Sequence, residues 1–138
     1  MKAVPYISFG GNCEEAVTFY QSVIGGTLRS VKFSEMPEGE GMAVSDNWKD
    51  KIMHSAITFE DGNAIYFGDT WEGYPIQGDN YSAIHLVVDN EQDVYDFVDK
   101  LSVGGEVTMP ADKTFWGSVY GSLTDKYGIS WGIEFELK

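Results

Sequence analysis

The chain has 138 residues, 43% hydrophobic and 14% aromatic, with a formal net charge of −13. That length holds one domain or two half-size units sharing a core, and that apolar content excludes a disordered chain. A surface so acidic repels phosphate backbones and anionic lipid, so neither nucleic acid nor a membrane is expected as a partner.

The elements follow in chain order. Residues 4–9 are short, apolar and rich in β-formers, and Gly10-Gly11 end them. Asn12 followed by Glu15 has capping-box spacing, and Ala16, Phe19, Tyr20 and Val23 then mark one face of an amphipathic helix. Gly25-Gly26 stop it. Residues 28–33 read as a strand, and 34–50 as a long acidic loop holding the cluster Glu35, Glu38 and Glu40, which suits solvation or weak cation binding. Residues 53–59 and 64–69 are strands whose connection contains Asp61-Gly62, a hairpin signal. Residues 71–80, which hold glycine, proline and polar residues, read as a linker.

The second half repeats this order. Residues 84–88 form a strand, Asp89-Asn90 a turn and cap, and Val94, Phe97, Val98 and Leu101 the same apolar helical face, again stopped by a double glycine. Strands at 106–109, 117–124 and 129–137 complete it, with a turn at 125–128. The expected architecture is α+β: a single domain over 1–138, with an internal repeat of 1–70 and 81–138. Two βαβββ units would curl mixed sheets around a cleft, and that cleft is the default ligand site. The lone cysteine, Cys13, rules out an internal disulfide and fits a reducing cytoplasm. No stretch has the apolar length of a signal peptide or a membrane span, so a cytoplasmic location is expected.

Several side chains could carry chemistry. If Asp61-Gly62 is a two-residue loop, counting outward sets His54 opposite Asp69, and a carboxylate beside an imidazole makes a general base or an orienting dyad. The plainer reading of that pair is a structural cross-strand hydrogen bond. Phe115, Trp116, Tyr120, Trp131 and Tyr6 could line an apolar cleft and stack on a planar ligand, or could be plain core. Trp116 stands out, lying between a loop and a strand. His85 sits mid-strand, where a packed histidine is commoner than a catalyst. Cys13 follows a helix cap, but Glu14 and Glu15 oppose a thiolate there, so an inert thiol is expected.

Residues 4–16 with Phe19-Tyr20, the stretch 51–54, Gly68-Asp69, and 114–117 through Gly121 to 125–131 resemble PhnB-like proteins of the glyoxalase/bleomycin-resistance (vicinal oxygen chelate) superfamily. The resemblance covers nearly the whole chain. It implies the paired βαβββ fold and a homodimer, and no particular reaction. Such proteins are often labelled 3-demethylubiquinone-9 3-methyltransferase-like, yet this chain has no glycine-rich strand-to-helix nucleotide loop. Metal enzymes of the superfamily hold a divalent ion through His, Gln or Glu. The resemblance sets Pro5, Gly132, the Ser82/Ala83 region and Tyr66 near those positions, and proline, alanine and glycine side chains offer no ligand atom. His85 and Glu134 lie two residues away and could serve through a shifted register or a non-standard site. No metal or other cofactor is therefore expected. The leading expectation is a cleft that sequesters a small ligand, as bleomycin-resistance proteins do. The alternative is a small-metabolite enzyme of lyase, isomerase or oxygenase type using a His–Asp pair or a non-standard metal. A third is a cleft filled by its own side chains.

Overall fold

The computed structural model describes residues 1–36, 44–76 and 82–137. The chain divides into two compact units, residues 1–78 and 79–138. The first contains β1 (Tyr6–Phe9), α1 (Cys13–Ile24), β2 (Thr27–Lys32), a 3-10 turn (Phe33–Glu35), β3 (Ile52–Thr58) and β4 (Ala64–Asp69). The second contains β5 (Ile84–Val87), α2 (Glu91–Leu101), β6 (Glu106–Lys113), β7 (Ser118–Thr124) and β8 (Ser130–Glu136). Each is a βαβββ unit, and the class is α+β as expected. Among the described residues no helix is long and apolar enough to cross a membrane.

The sheets have matching strand orders, β1-β4-β3-β2 and β5-β8-β7-β6. In each, the strand before the helix pairs in parallel with the last strand of its unit, and the other pairings are antiparallel. One face of each sheet packs on its helix. In the first unit Tyr20 of α1 meets Phe67, and Phe9 stacks on Phe67 at 6.4 Å between ring centroids. The buried stripe of α1 is Cys13, Ala16, Val17 and Tyr20, an i, i+3, i+4, i+7 set that starts one turn earlier than Ala16. In the second unit Val94, Val98 and Leu101 of α2 cover Val119, Leu123, Trp131 and Ile133. Residues 71–76 belong to the first unit: the Trp71 ring packs edge-on against Phe33 at 4.9 Å.

β6 runs on to Lys113, past Pro110, where the expected strand stopped at Met109. A proline lacks the N–H a central strand needs, but β6 lies at the edge of its sheet and its register shifts on both sides of Met109. Edge position and irregular pairing together accommodate the ring.

The opposite faces are set by alternation. Tyr6, Tyr66, His54, Ala56 and Arg29 share the helix-free face of the first sheet, which follows from the pairs Tyr6↔Tyr66, Ala56↔Tyr66, Arg29↔Ala56 and Val31↔His54. His85, Gly132, Glu134, Tyr120 and Ser122 share the helix-free face of the second, from His85↔Gly132, Tyr120↔Glu134 and Ser122↔Gly132.

Candidate functional site

The expected pairing of His54 with Asp69 is not formed. Phe59 N–H donates to the Asn63 carbonyl, so the hairpin loop is the three residues Glu60-Asp61-Gly62, and the ladder pairs Thr58 with Ala64. Gly62, at φ 88°, takes the left-handed position of such a loop. One extra loop residue slips the register by one, and a one-residue slip moves a side chain to the other face. His54 therefore stays on the open face while Asp69 turns in beneath α1.

There Asp69 has a different task. It is buried, and its Oδ1 accepts the backbone N–H of Gly11 at 2.8 Å and of Cys13 at 3.0 Å. Its Oδ2 accepts the N–H of Ile52 at 2.9 Å. The carboxylate thus ties the end of β1, the first turn of α1 and the start of β3 together. It also does the work expected of Asn12, whose side chain makes no capping bond. A helix N-terminus presents unpaired N–H groups and positive dipole, so an anion in this position is well placed.

Cys13 is 0% exposed, and burial, with Asp69 and Glu14 nearby, pushes its thiol far above the usual range. This matches an inert thiol. The shift fixes a pH dependence. An acid whose folded pKa is raised keeps its proton in the native state after the unfolded chain has lost it, so stability falls as pH rises above the unfolded value. Above about pH 8.5 the loss should approach 1.4 kcal/mol per pH unit. Urea unfolding at neutral and alkaline pH should show this slope in the native sequence, and Cys13→Ala should remove that component. An unchanged slope in the variant would refute this assignment.

His54 packs between two rings, 4.9 Å from Tyr66 edge-to-face and 5.9 Å from Tyr6. Tyr6 is half-exposed, yet burial, then Cys13 and Asp69, raise its phenol above the usual value. Its hydroxyl lies over Gly68, where a Cβ would come within 2.5 Å of it.

The second sheet carries the larger assembly. His85 Nε2 and Glu134 Oε1 are 2.8 Å apart across the parallel pair β5 and β8. Tyr120, on β7 beside Glu134, stacks on the His85 ring at 6.0 Å and 21°. Trp116 meets Tyr120 at 6.1 Å, and Phe115 meets Trp116 edge-on at 5.1 Å. Trp116 is 53% exposed and Phe115 98%. Trp131 is not with them. It is 1% exposed on the helix side, and its indole N–H donates to Asp125 Oδ2 at 2.9 Å. Alternation explains this: Trp131 pairs with Leu123 and Ile84, which face the core, whereas Gly132 beside it faces out.

The expected ligand face of the aromatic cluster thus holds Phe115, Trp116 and Tyr120, with Tyr6 on the other unit's open face and Trp131 in the core. Glu35 accepts the Lys32 N–H at 2.7 Å, a local turn contact. Glu38 and Glu40 lie outside the described residues. Asp125 opens the expected 125–128 turn, and it is a buried anchor as well. Its Oδ1 accepts the N–H of Tyr127 and Ile129, and an Asp two residues before a backbone donor in a turn is the signal that could have marked it.

The superfamily's divalent metal can be tested against this face. His85 and Glu134 are two donors bonded to each other. At Gly132 the room for a third is taken: a Cβ there would come within 2.9 Å of His85 Nδ1 and 3.2 Å of the Tyr120 hydroxyl. Among the described residues no three His, Cys, Asp or Glu side chains converge. A tight site needs three or four donors, and the residues within each unit do not supply them.

Comparison with known proteins agrees with the fold. The family model for the glyoxalase/bleomycin resistance protein/dioxygenase superfamily matches residues 4–133. Protein YjdN of Escherichia coli strain K12 is 32% identical, the match covering 96% of this chain and 94% of that protein. The crystal structure of PA1353 from Pseudomonas aeruginosa is 35% identical, with a TM-score of 0.87 over 100% of this chain and 99% of that one. The fold is shared also by the PhnB protein of Bacillus cereus, at 22% identity and a TM-score of 0.72 over 98% and 99% of the two chains. With βαβββ order in both units and a family match over almost its full length, the chain belongs to the glyoxalase/bleomycin resistance protein/dioxygenase superfamily.

Proposed function

We propose that the chain is a homodimeric cytoplasmic protein that binds a small planar ligand on the open face of the second sheet, without the superfamily's usual metal. The observation that carries this is the run of rings from His85 through Tyr120 to Trp116 and Phe115, whose last two members are largely exposed. Contiguous exposed rings leave apolar area in water that a flat ligand would cover, and offset stacking adds to that gain. Glu134, Glu136 and Asp112 share or border this face, and the chain's net charge is −13. A neutral or cationic ligand is therefore favoured over an anion.

The test is a titration with the planar cation proflavine and the neutral heteroaromatic acridone, followed by tryptophan fluorescence and calorimetry. Saturable binding is expected, weakened roughly 10- to 100-fold by Trp116→Ala, which removes the largest exposed ring. Equal affinity in the native protein and the variant would sink the assignment of this face. Light scattering on the same sample checks the dimer.

A second reading, an enzyme, is favoured by the 2.8 Å contact of His85 with Glu134. The carboxylate orients the imidazole and makes it a suitable general base. His54 is less well suited, since Asp69 is committed to backbone N–H groups. Ligand recovered chemically unchanged after long incubation with the protein would count against this reading.

A further inference from the structure

The open face of the first sheet differs from that of the second in charge. The register places Arg29, Ala56, Tyr66 and Tyr6 in one row across β2, β3, β4 and β1. Val31 and His54 lie in the row on one side, Thr27 and Thr58 in the row on the other. Among the described residues none of the paired strand positions on this face is a carboxylate, in a chain with 22 acidic residues. Arg29 is the chain's single arginine. Ion pairs form elsewhere, Lys32 with Glu14 and Lys49 with Asp46, but among the described residues Arg29 pairs with no carboxylate. Beside it lies a groove of about 550 Å³, lined by Gly26, Thr27, Arg29, Thr58, Phe59 and Glu60.

We infer that this groove is a binding site for a small aromatic monocarboxylate, with Arg29 as the fork that receives the carboxylate. A guanidinium offers two parallel N–H donors that match a carboxylate's two oxygens. The Thr27 and Thr58 hydroxyls flank it, opposite each other across β2 and β3, and can donate to the same oxygens. Ala56, opposite Arg29, carries only a methyl group, and Phe59, which lines the groove with Gly26, gives the ligand's body an apolar contact. Glu60 sets the ligand's charge. It lines the same groove without pairing to Arg29, so it repels a dianion about twice as strongly as a monoanion. A carboxylate is thereby favoured over the phosphate dianion. This site lies in the first unit and does not depend on the ligand face proposed for the second.

A single arginine gives a single side-chain Nε–Hε resonance, so the test needs no assignment by mutagenesis. The full chain, labelled with nitrogen-15, is titrated with benzoate, with its neutral analogue benzamide, and with inorganic phosphate. Benzoate is expected to move the Arg29 Nε–Hε signal and the Thr27 and Thr58 amides along one saturating curve, with a dissociation constant on the order of 1 mM. Benzamide should leave them in place, and phosphate should move them only weakly. Arg29→Lys keeps the charge and loses the fork, so the threonine amide shifts should then require roughly tenfold more benzoate. Arg29 is exposed, so folding is not at stake, and the remaining amide spectrum verifies this. The inference is overturned if benzoate gives no saturable shift, if benzamide or phosphate matches it, or if Arg29→Lys binds as the native protein does.

Discussion

Asp69→Ala is expected to lower folding stability by ~3–5 kcal/mol, because it leaves three backbone N–H groups, two buried and one partly buried, facing an apolar methyl. The donors are Gly11, Cys13 and Ile52, at 2.8, 3.0 and 2.9 Å. Hydrogen bonds to a charged acceptor contribute ~1.5–3 kcal/mol each, though bonds sharing one carboxylate do not add in full. Set against a total stability of ~5–15 kcal/mol, the loss is large enough to unfold a marginal domain. Asp69→Asn should fall between: its one carbonyl oxygen can serve the two donors now on Oδ1, while its amide opposes the Ile52 N–H. Urea unfolding of both variants measures the series. A loss under about 1 kcal/mol in Asp69→Ala would show that these bonds do not staple the unit. His54→Ala leaves the staple intact and should cost far less, which separates this role from a His–Asp dyad.

Asp125→Ala should have the second largest effect, a loss of ~2–4 kcal/mol and a Tm lower by about 10 °C. Here one oxygen accepts Tyr127 and Ile129 N–H at 2.9 and 3.0 Å, holding the β7–β8 turn, and the other accepts the Trp131 indole at 2.9 Å. Trp131 is among the largest fully buried side chains, so its orientation governs the packing of α2 on the sheet. Trp131→Phe keeps most of the bulk and gives up the indole donor, and should cost less than Asp125→Ala. Thermal unfolding followed by near-ultraviolet dichroism reads both the stability and the loss of the tryptophan's fixed environment. If Asp125→Ala melts within a few degrees of the native chain, the turn is held by its backbone bonds alone, such as Asp125 N–H to Ile129 and Gly128 N–H to Asp125.

These two buried aspartates occupy different places in the repeat, Asp69 at the end of β4 and Asp125 in the turn between β7 and β8. Asp69 reaches residues far away in sequence, while Asp125 serves its own turn and the strand that follows. That difference governs which of them could be recognised beforehand.

Local pattern was enough for the βαβββ order, because the period of apolar residues and the position of glycines depend only on neighbours in the chain. β4 falls at 64–69 as read, and both helices lie where their apolar faces predicted them. The aromatic run 115–120 was legible too, as ring-bearing residues in a loop entering a strand. What the sequence left open was anything decided by one residue of register. A hairpin loop of three rather than two residues moved Asp69 from the face of His54 to the face of α1, and no local preference distinguishes those loops strongly enough to choose. The same holds for His85 and Glu134. Both were noticed singly, but their contact exists because β5 and β8 pair in parallel at one register, and that pairing is settled by how the whole sheet buries its apolar face. Trp131 and Trp116 show the consequence. Composition marks both as large rings, and only the sheet's alternation puts one in the core and leaves the other facing water.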